Sequence, residues 1–134
     1  CCSAAPRLSG RQLEGCAYEV VMVDNRPWKR VGLGSTPHWV MSAAINSAYA
    51  ARFGYSFRLI RPSMQSEPSY PGWNKVMYVA DWLRMLDRGG ACTWLLYLDS
   101  DAFVREPDLP LPVFIAGLAA RYPMGAGVGA VFAR

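Results

Sequence analysis

Apolar residues along this chain fall into two alternating rhythms. Short continuous runs, too short for buried helices, are separated by longer stretches in which apolar residues recur every three or four positions. The first run, Tyr18 to Val23, is rich in β-branched residues, ends at Asp24-Asn25 and predicts a buried strand. Thr36-Pro37 predicts a helix start, with Thr36 as N-cap and Pro37 at the first helical position. Met41, Ile45, Ala48, Tyr49 and Phe53 then follow helical spacing until Gly54 stops the helix, and Tyr55 to Ile60 predicts a second strand. Pro62, Pro68, Pro71 and Gly72 mark a loop. A helix is predicted from about Asn74 to Arg88, closed by Gly89-Gly90. Its broad apolar face carries Val76, Val79, Ala80, Leu83 and Leu86, with Asn74, Asp81, Arg84 and Arg88 opposite. A third strand, Trp94 to Leu98, reads as buried on both faces, as in a parallel sheet. A short helix from Pro112 to Arg121 and a strand at Val131-Phe132 complete the pattern.

Strands alternating with helices at this spacing predict βαβ units and a mostly parallel sheet, an α/β fold. No internal repeat is visible, and residues 1–16, small and polar without periodicity, read as a loose arm before a domain spanning 17–134.

The third strand also concentrates the chemistry, because it ends in Asp99-Ser100-Asp101. In an extended chain, positions two apart project to the same side, roughly 6.5–7 Å from each other. Two acids so placed repel, and a bound cation is their natural partner. The carboxyl end of a parallel strand is also where open α/β sheets bind ligands. The competing reading is an acidic turn leaving a buried strand. After the first strand, the basic loop with Arg26, Lys29, Arg30, Gly32 and Gly34 resembles the start of a dinucleotide fingerprint, but Pro37 stands where the third glycine belongs and excludes it.

Composition narrows the field. With 134 residues, 52% hydrophobic and 18% charged, the chain is globular. Its net charge of +4 is too small and scattered to argue for nucleic acid, though it suits an anionic small molecule. No apolar run reaches membrane-spanning length. The chain begins Cys1-Cys2-Ser3 without Met or a signal pattern, so any targeting segment is expected to have been trimmed or lost. The four cysteines lack zinc-site spacing. Cys92 reads as a small core residue, and a disulfide from Cys16 to Cys1 or Cys2 is open. His38, the only histidine, has no second imidazole with which to build a metal or base site. Lys75, in a helix first turn, opposes the dipole by about 0.3–1 kcal/mol; a bound anion or simple solvation would account for it.

Three chemistries fit acids at a strand end. A haloacid-dehalogenase-type phosphatase also uses two such acids, but in its first strand and with Thr or Val after them, where this chain has Ala102-Phe103. A calcium loop would need oxygen ligands where Ala102, Phe103 and Val104 stand. A nucleotide-sugar transferase holds Mn²⁺ or Mg²⁺ on the two carboxylates, leaving positions for diphosphate oxygens. A non-catalytic binding module, or a remnant that has lost the reaction, stands beside these.

Pro71-Gly72-Trp73-Asn74-Lys75-Val76, a helix, and then Trp94-Leu95-Leu96-Tyr97-Leu98-Asp99-Ser100-Asp101-Ala102 resemble GT-A glycosyltransferases. The similarity is nearest to glycosyltransferase family 34, the fungal α-galactosyl- and mannosyltransferases and plant xyloglucan xylosyltransferases, with their Trp-x-Lys and W-x-x-D-x-D-A elements. Tyr49-Ala50-x-x-Phe53-Gly54-Tyr55 resembles that family's Y-A-x-x-H-G-Y, with Phe53 where relatives often carry His. The three elements cover roughly residues 18–104.

The resemblance implies a GT-A-like (Rossmann-like) fold, a UDP- or GDP-sugar donor, a glycan or glycoprotein acceptor, and retention of anomeric configuration. Asp99 and Asp101 would hold Mn²⁺ (or Mg²⁺), Lys75 would reach the donor's sugar or phosphate, and Asp24 and Asn25 would approach the nucleoside. Ser100 falls within the same donor-binding segment. Relatives are lumenal Golgi enzymes with a membrane anchor. Their acceptor-binding residues and a further metal-ligand histidine lie beyond the D-x-D strand, so residues 17–134 are expected to be the nucleotide-sugar half of a transferase, unable to transfer efficiently alone.

Overall fold

In the computed structural model, which describes residues 13–24, 26, 36–61, 73–86 and 92–121, strand β1 (Ala17–Val23) is the centre of a parallel sheet. β2 (Ser56–Ile60) pairs along one side of it and β3 (Thr93–Leu98) along the other, giving the order β2-β1-β3. The α/β class and the parallel sheet expected from the sequence are therefore present. The chain divides into two compact units, Ala17–Arg105 and the combination of Cys1–Cys16 with Glu106–Arg134.

The sheet belongs to the first unit. Val20, Val21 and Met22 have no exposed surface, so it is β1, not β3, that is sealed on both faces. All six residues of β3 are only partly buried. A continuous apolar run cannot by itself distinguish a central strand from a flanking one, because both must be apolar where helices cover them.

Register and strand periodicity sort the side chains by face. Tyr18, Val20 and Met22 align with Trp94, Leu96 and Leu98, while Glu19 and Val21 align with Leu95 and Tyr97. Helix α1 (His38–Phe53) covers the first face and helix α2 (Trp73–Leu86) the second, as the contacts of Asn46 with Met22 and of Trp82 with Glu19 establish. The crossover from β1 to β2 and the crossover from β2 back past β1 to β3 run in opposite directions across the sheet, so two right-handed connections place their helices on opposite faces.

Helix α1 departs from its predicted start and orientation. Pro37, with an extended backbone, is itself the N-cap and makes no side-chain cap; its carbonyl accepts from Val40 and Met41, and Thr36 precedes the helix. The buried residues are Ser42, Ala43, Asn46, Tyr49 and Ala50, whereas Met41 and Ile45 are exposed. Small side chains let α1 lie close to the sheet, and polar Asn46 is drawn inward by partners that a hydrophobicity count ignores. Its amide donates to the Ala102 carbonyl (3.0 Å) and toward Met22 Sδ (3.2 Å), while Oδ1 accepts from Val104 N–H (3.0 Å).

Gly54 ends α1 in the left-handed region, φ 71°, with its N–H on the carbonyls of Ala50 and Ala51. This folds Tyr55 back so that Tyr18, Tyr49, Phe53 and Tyr55 form one aromatic cluster with centroids 5.1–6.0 Å apart. The Tyr-Ala-x-x-Phe-Gly-Tyr pattern therefore has a structural role, and Phe53 acts there as a packed ring. Burial, with a smaller contribution from Tyr55, pushes the Tyr49 hydroxyl up to about 12.

On the opposite face, Glu19 is 8% exposed. Its carboxylate accepts from Trp82 Nε1 at 3.1 Å and lies 2.7 Å from Arg58 Nε. Trp82, absent from the predicted apolar face, is the most buried described residue of α2, whereas Val76 is half exposed. Asp81 and Arg84 pair on the solvent side as expected, at 2.7 Å.

In the second unit, helix α3 (Leu111–Arg121) buries Leu111, Ile115 and Ala119, one residue per turn. Leu13 is 1% exposed, a core position that no periodicity around it announces. Cys16 in this unit and Cys92 in the first are both disulfide-bonded, and Cys92 is exposed, which corrects its reading as a small core residue. Of the predicted loop at 61–72 only Arg61 is described, outside any helix or strand, and the Val131-Phe132 strand lies outside the described residues.

Candidate functional site

β1 and β3 run side by side to the pair Met22–Leu98 and then diverge toward Asp24 and Asp99. The residues that follow these two neighbouring strands, Asp24 and Arg26 after β1 and Ser100 after β3, meet at the carboxyl edge of the sheet and border a crevice there. This is the topological switch point at which open α/β sheets bind ligands.

Asp24 extends the ladder through its N–H to the Ile60 carbonyl (3.0 Å), which fixes its side chain in place. The carboxylate is only 6% exposed and is gripped by Arg26. The Arg26 backbone N–H donates to Oδ1 at 2.7 Å, its Nε donates to both oxygens at 3.1 Å, and its Nη2 donates to Oδ2. The same Nη2 donates to Ser100 Oγ at 2.7 Å, tying the loop after β1 to the loop after β3. Above the guanidinium lies Trp39, with 4.1 Å from Arg26 Cζ to the ring centroid. His38 contacts Trp39 edge to face at 5.2 Å and is exposed.

Burial alone would raise the Asp24 carboxyl, but the hydrogen bonds and charge of Arg26, with help from Ser100, bring it below its ordinary value. The unfolded chain binds the proton more readily, so the pair stabilises the fold fully above the ordinary value of 3.8 and loses that contribution as pH falls through the lower folded value. The stability gap between the unaltered chain and Asp24→Asn is accordingly expected to be widest near neutral pH and to narrow steadily on acidification. Thermal melts across that range measure it.

The acid pair sits differently from the extended arrangement predicted. β3 ends at Leu98, and Asp99 to Ala102 form a turn closed by Ala102 N–H on the Asp99 carbonyl at 2.9 Å. The two-residue repeat that would align both carboxylates stops one position too early. Asp99 and Asp101 are exposed, and Ser100 between them points to Arg26. Tyr97 donates its hydroxyl to Asp99 Oδ1 at 3.2 Å. Burial, then the charge and hydrogen bond of Asp99, then the charge of Asp24 all raise the Tyr97 hydroxyl. Asp101 adds its charge to that of Asp24 in stabilising the Arg26 cation. Asn46 completes the frame by holding the backbone on both sides of Phe103.

Four of the residues expected from the sequence are thus assembled at one crevice: Asp24, Asp99, Ser100 and Asp101. Asn25 lies outside the described residues. Lys75 is in the first turn of α2, as predicted, with its side chain outside the description. The sequence reading missed Arg26 as the connector, Trp39 as its cover and Tyr97 as the partner of Asp99. A basic residue two positions after a strand-ending acid was the one available signal, since an aspartate readily captures groups two residues on. Trp39 and Tyr97 carried no comparable mark.

Among the described residues no three His, Cys, Asp or Glu side chains cluster as a metal cage. The donor set is instead two exposed carboxylates on one turn. Such hard oxygen ligands suit Mg²⁺ or Mn²⁺ bound by one or two carboxylates, with substrate phosphates and water completing the shell. No helix among the described residues is long and apolar enough to cross a membrane. No protein-family model, no curated protein and no solved structure matches the chain.

Proposed function

We propose that this chain is the nucleotide-sugar-binding part of a metal-dependent, retaining glycosyltransferase of the GT-A type. One observation carries the reading: the acids after β1 and β3 converge at the switch point of a parallel sheet, linked through Arg26 and Ser100. The similarity of the Trp-x-Lys and W-x-x-D-x-D-A elements to glycosyltransferase family 34 names the donor class, a UDP- or GDP-sugar, with a glycan or glycoprotein as acceptor. Asp99 and Asp101 would hold Mn²⁺ or Mg²⁺, which supplies charge neutralisation for the departing diphosphate. Tyr97 orients Asp99, Asp24 and Asn25 would approach the nucleoside, and Lys75 would reach the donor's sugar or phosphate. The disulfides at Cys16 and Cys92 support an oxidising, lumenal setting such as the Golgi.

Calorimetric titration with Mn²⁺, in the presence and absence of UDP and of GDP, tests this reading. Binding is expected to be weak for the metal alone and stronger with nucleotide, and to disappear in Asp99→Asn/Asp101→Asn. Equal binding by that double variant would remove the metal role. The isolated chain is expected to release UDP or GDP from sugar donors slowly, without acceptor-dependent turnover. Nucleotide binding with no release would identify an inert binding module instead.

A further inference from the structure

We propose that Arg26 is a built-in counter-cation that makes divalent-metal binding at Asp99 and Asp101 conditional on a nucleoside diphosphate. The inference deepens the proposed function and rests on it. It concerns a residue to which the sequence reading assigned no task.

The guanidinium cannot readily leave the crevice. Its main partner, Asp24, is 6% exposed and belongs to the ladder of the central strand. Ser100, the middle residue of Asp99-Ser100-Asp101, accepts from Nη2, so the cation is tethered to the turn that carries both exposed carboxylates. The Trp39 ring covers one of its faces. Loss of Asp24 pairing would strand a buried carboxylate, which keeps Arg26 where it is. The crevice therefore holds a fixed guanidinium before any metal arrives, paired with Asp24 and near enough to Asp101 for the two charges to act on each other.

A divalent cation approaching the turn meets that charge at short range, and Arg26 opposes it. A diphosphate reverses the balance, because its negative oxygens attract both the metal and the guanidinium. Each ligand then raises the affinity for the other, and by the same factor. Arg26 thus acts against the free metal ion and in favour of the metal–nucleotide pair. An acid pair without such a cation would bind free Mn²⁺ more readily.

The experiment is calorimetric titration of Mn²⁺ into the unaltered chain, Arg26→Gln, Arg26→Lys and Asp24→Asn, each with and without UDP or GDP, with folding checked by circular dichroism. Arg26→Gln is expected to tighten Mn²⁺ alone by about tenfold, the order expected for removing one unit charge from a partly exposed site. The enhancement by nucleotide should shrink by a similar factor. Arg26→Lys keeps the charge and should keep the weak binding of the unaltered chain. Asp24→Asn, which strips the cation of its main counter-charge, should weaken Mn²⁺ severalfold, and it tests the idea even where Arg26→Gln does not fold. If the unaltered chain binds metal and nucleotide but Arg26→Gln binds Mn²⁺ no more tightly, the counter-cation role is overturned and the proposed function stands. Equal tightening in the Gln and Lys variants overturns it too, since charge is then not the cause. Absence of metal and nucleotide binding in every chain overturns both readings.

Discussion

Trp82→Ala is expected to destabilise the protein by about 3–5 kcal/mol, more than any other single truncation on the α2 face. Trp82 is 7% exposed and combines packing with a hydrogen bond to a carboxylate that is itself buried. Truncation leaves a cavity under α2 and removes a donor from Glu19, whose ion-pair partner, Arg58, has a side chain 55% exposed to solvent. For a chain of this size the melting temperature should fall by roughly 10–20 °C. Trp82→Phe separates the two contributions, because it keeps most of the ring and loses only the N–H. A loss of about 1–3 kcal/mol is expected there, the cost of leaving a buried acceptor without its donor. Chemical denaturation of the three proteins measures both. Wild-type stability in the alanine variant would mean that α2 is not held through this residue.

Asn46→Leu should cost about 2–4 kcal/mol although it replaces a polar side chain in the core by an apolar one of similar size. Asn46 has no exposed surface and serves backbone groups on both sides of Phe103. Leucine fills the space yet leaves the Ala102 carbonyl and the Val104 N–H without partners. Hydrogen exchange gives the sharper test: protection at the Val104 amide is expected to be lost well before that of β1. An unchanged Val104 amide would show that the segment after the acidic turn is held by something else.

These two residues also mark the limit of what a sequence reveals. The order of strands and helices was legible, because each apolar run and each helical repeat reports directly on burial. Gly54 as a helix stop and the polar side of α2 that carries Asp81 and Arg84 were legible for the same reason, being local. The choice of helix face was not. Met41 and Ile45 outrank Ser42 and Asn46 on any hydrophobic scale, but small residues allow close approach to a sheet and Asn46 repays burial through partners more than fifty positions away. Trp82 likewise turns inward for Glu19, which is distant in sequence.

At the crevice, Asp24, Asp99, Ser100 and Asp101 could be picked out because acids ending buried strands are conspicuous. Their geometry could not, since it depends on where β3 stops, and a strand boundary shifted by one residue rotates every side chain beyond it. Arg26 was one basic residue among several in its loop until Ser100, on another strand end, gave it a second partner.

The central position of β1 has a consequence for how the chain acquires its shape. Ala17 pairs with Thr93 and Met22 with Leu98, contacts that close loops of roughly 75 residues and are slow to form for entropic reasons. β2 and α1, much nearer in sequence, can dock first. Until β3 arrives, one edge of the most buried strand stays open to pairing with another chain. Docking of β3 then closes that edge and brings Ser100 to Arg26 in the same event. The crevice is therefore expected to be the last part of the sheet to form, and the Arg26–Ser100 contact to report completed folding.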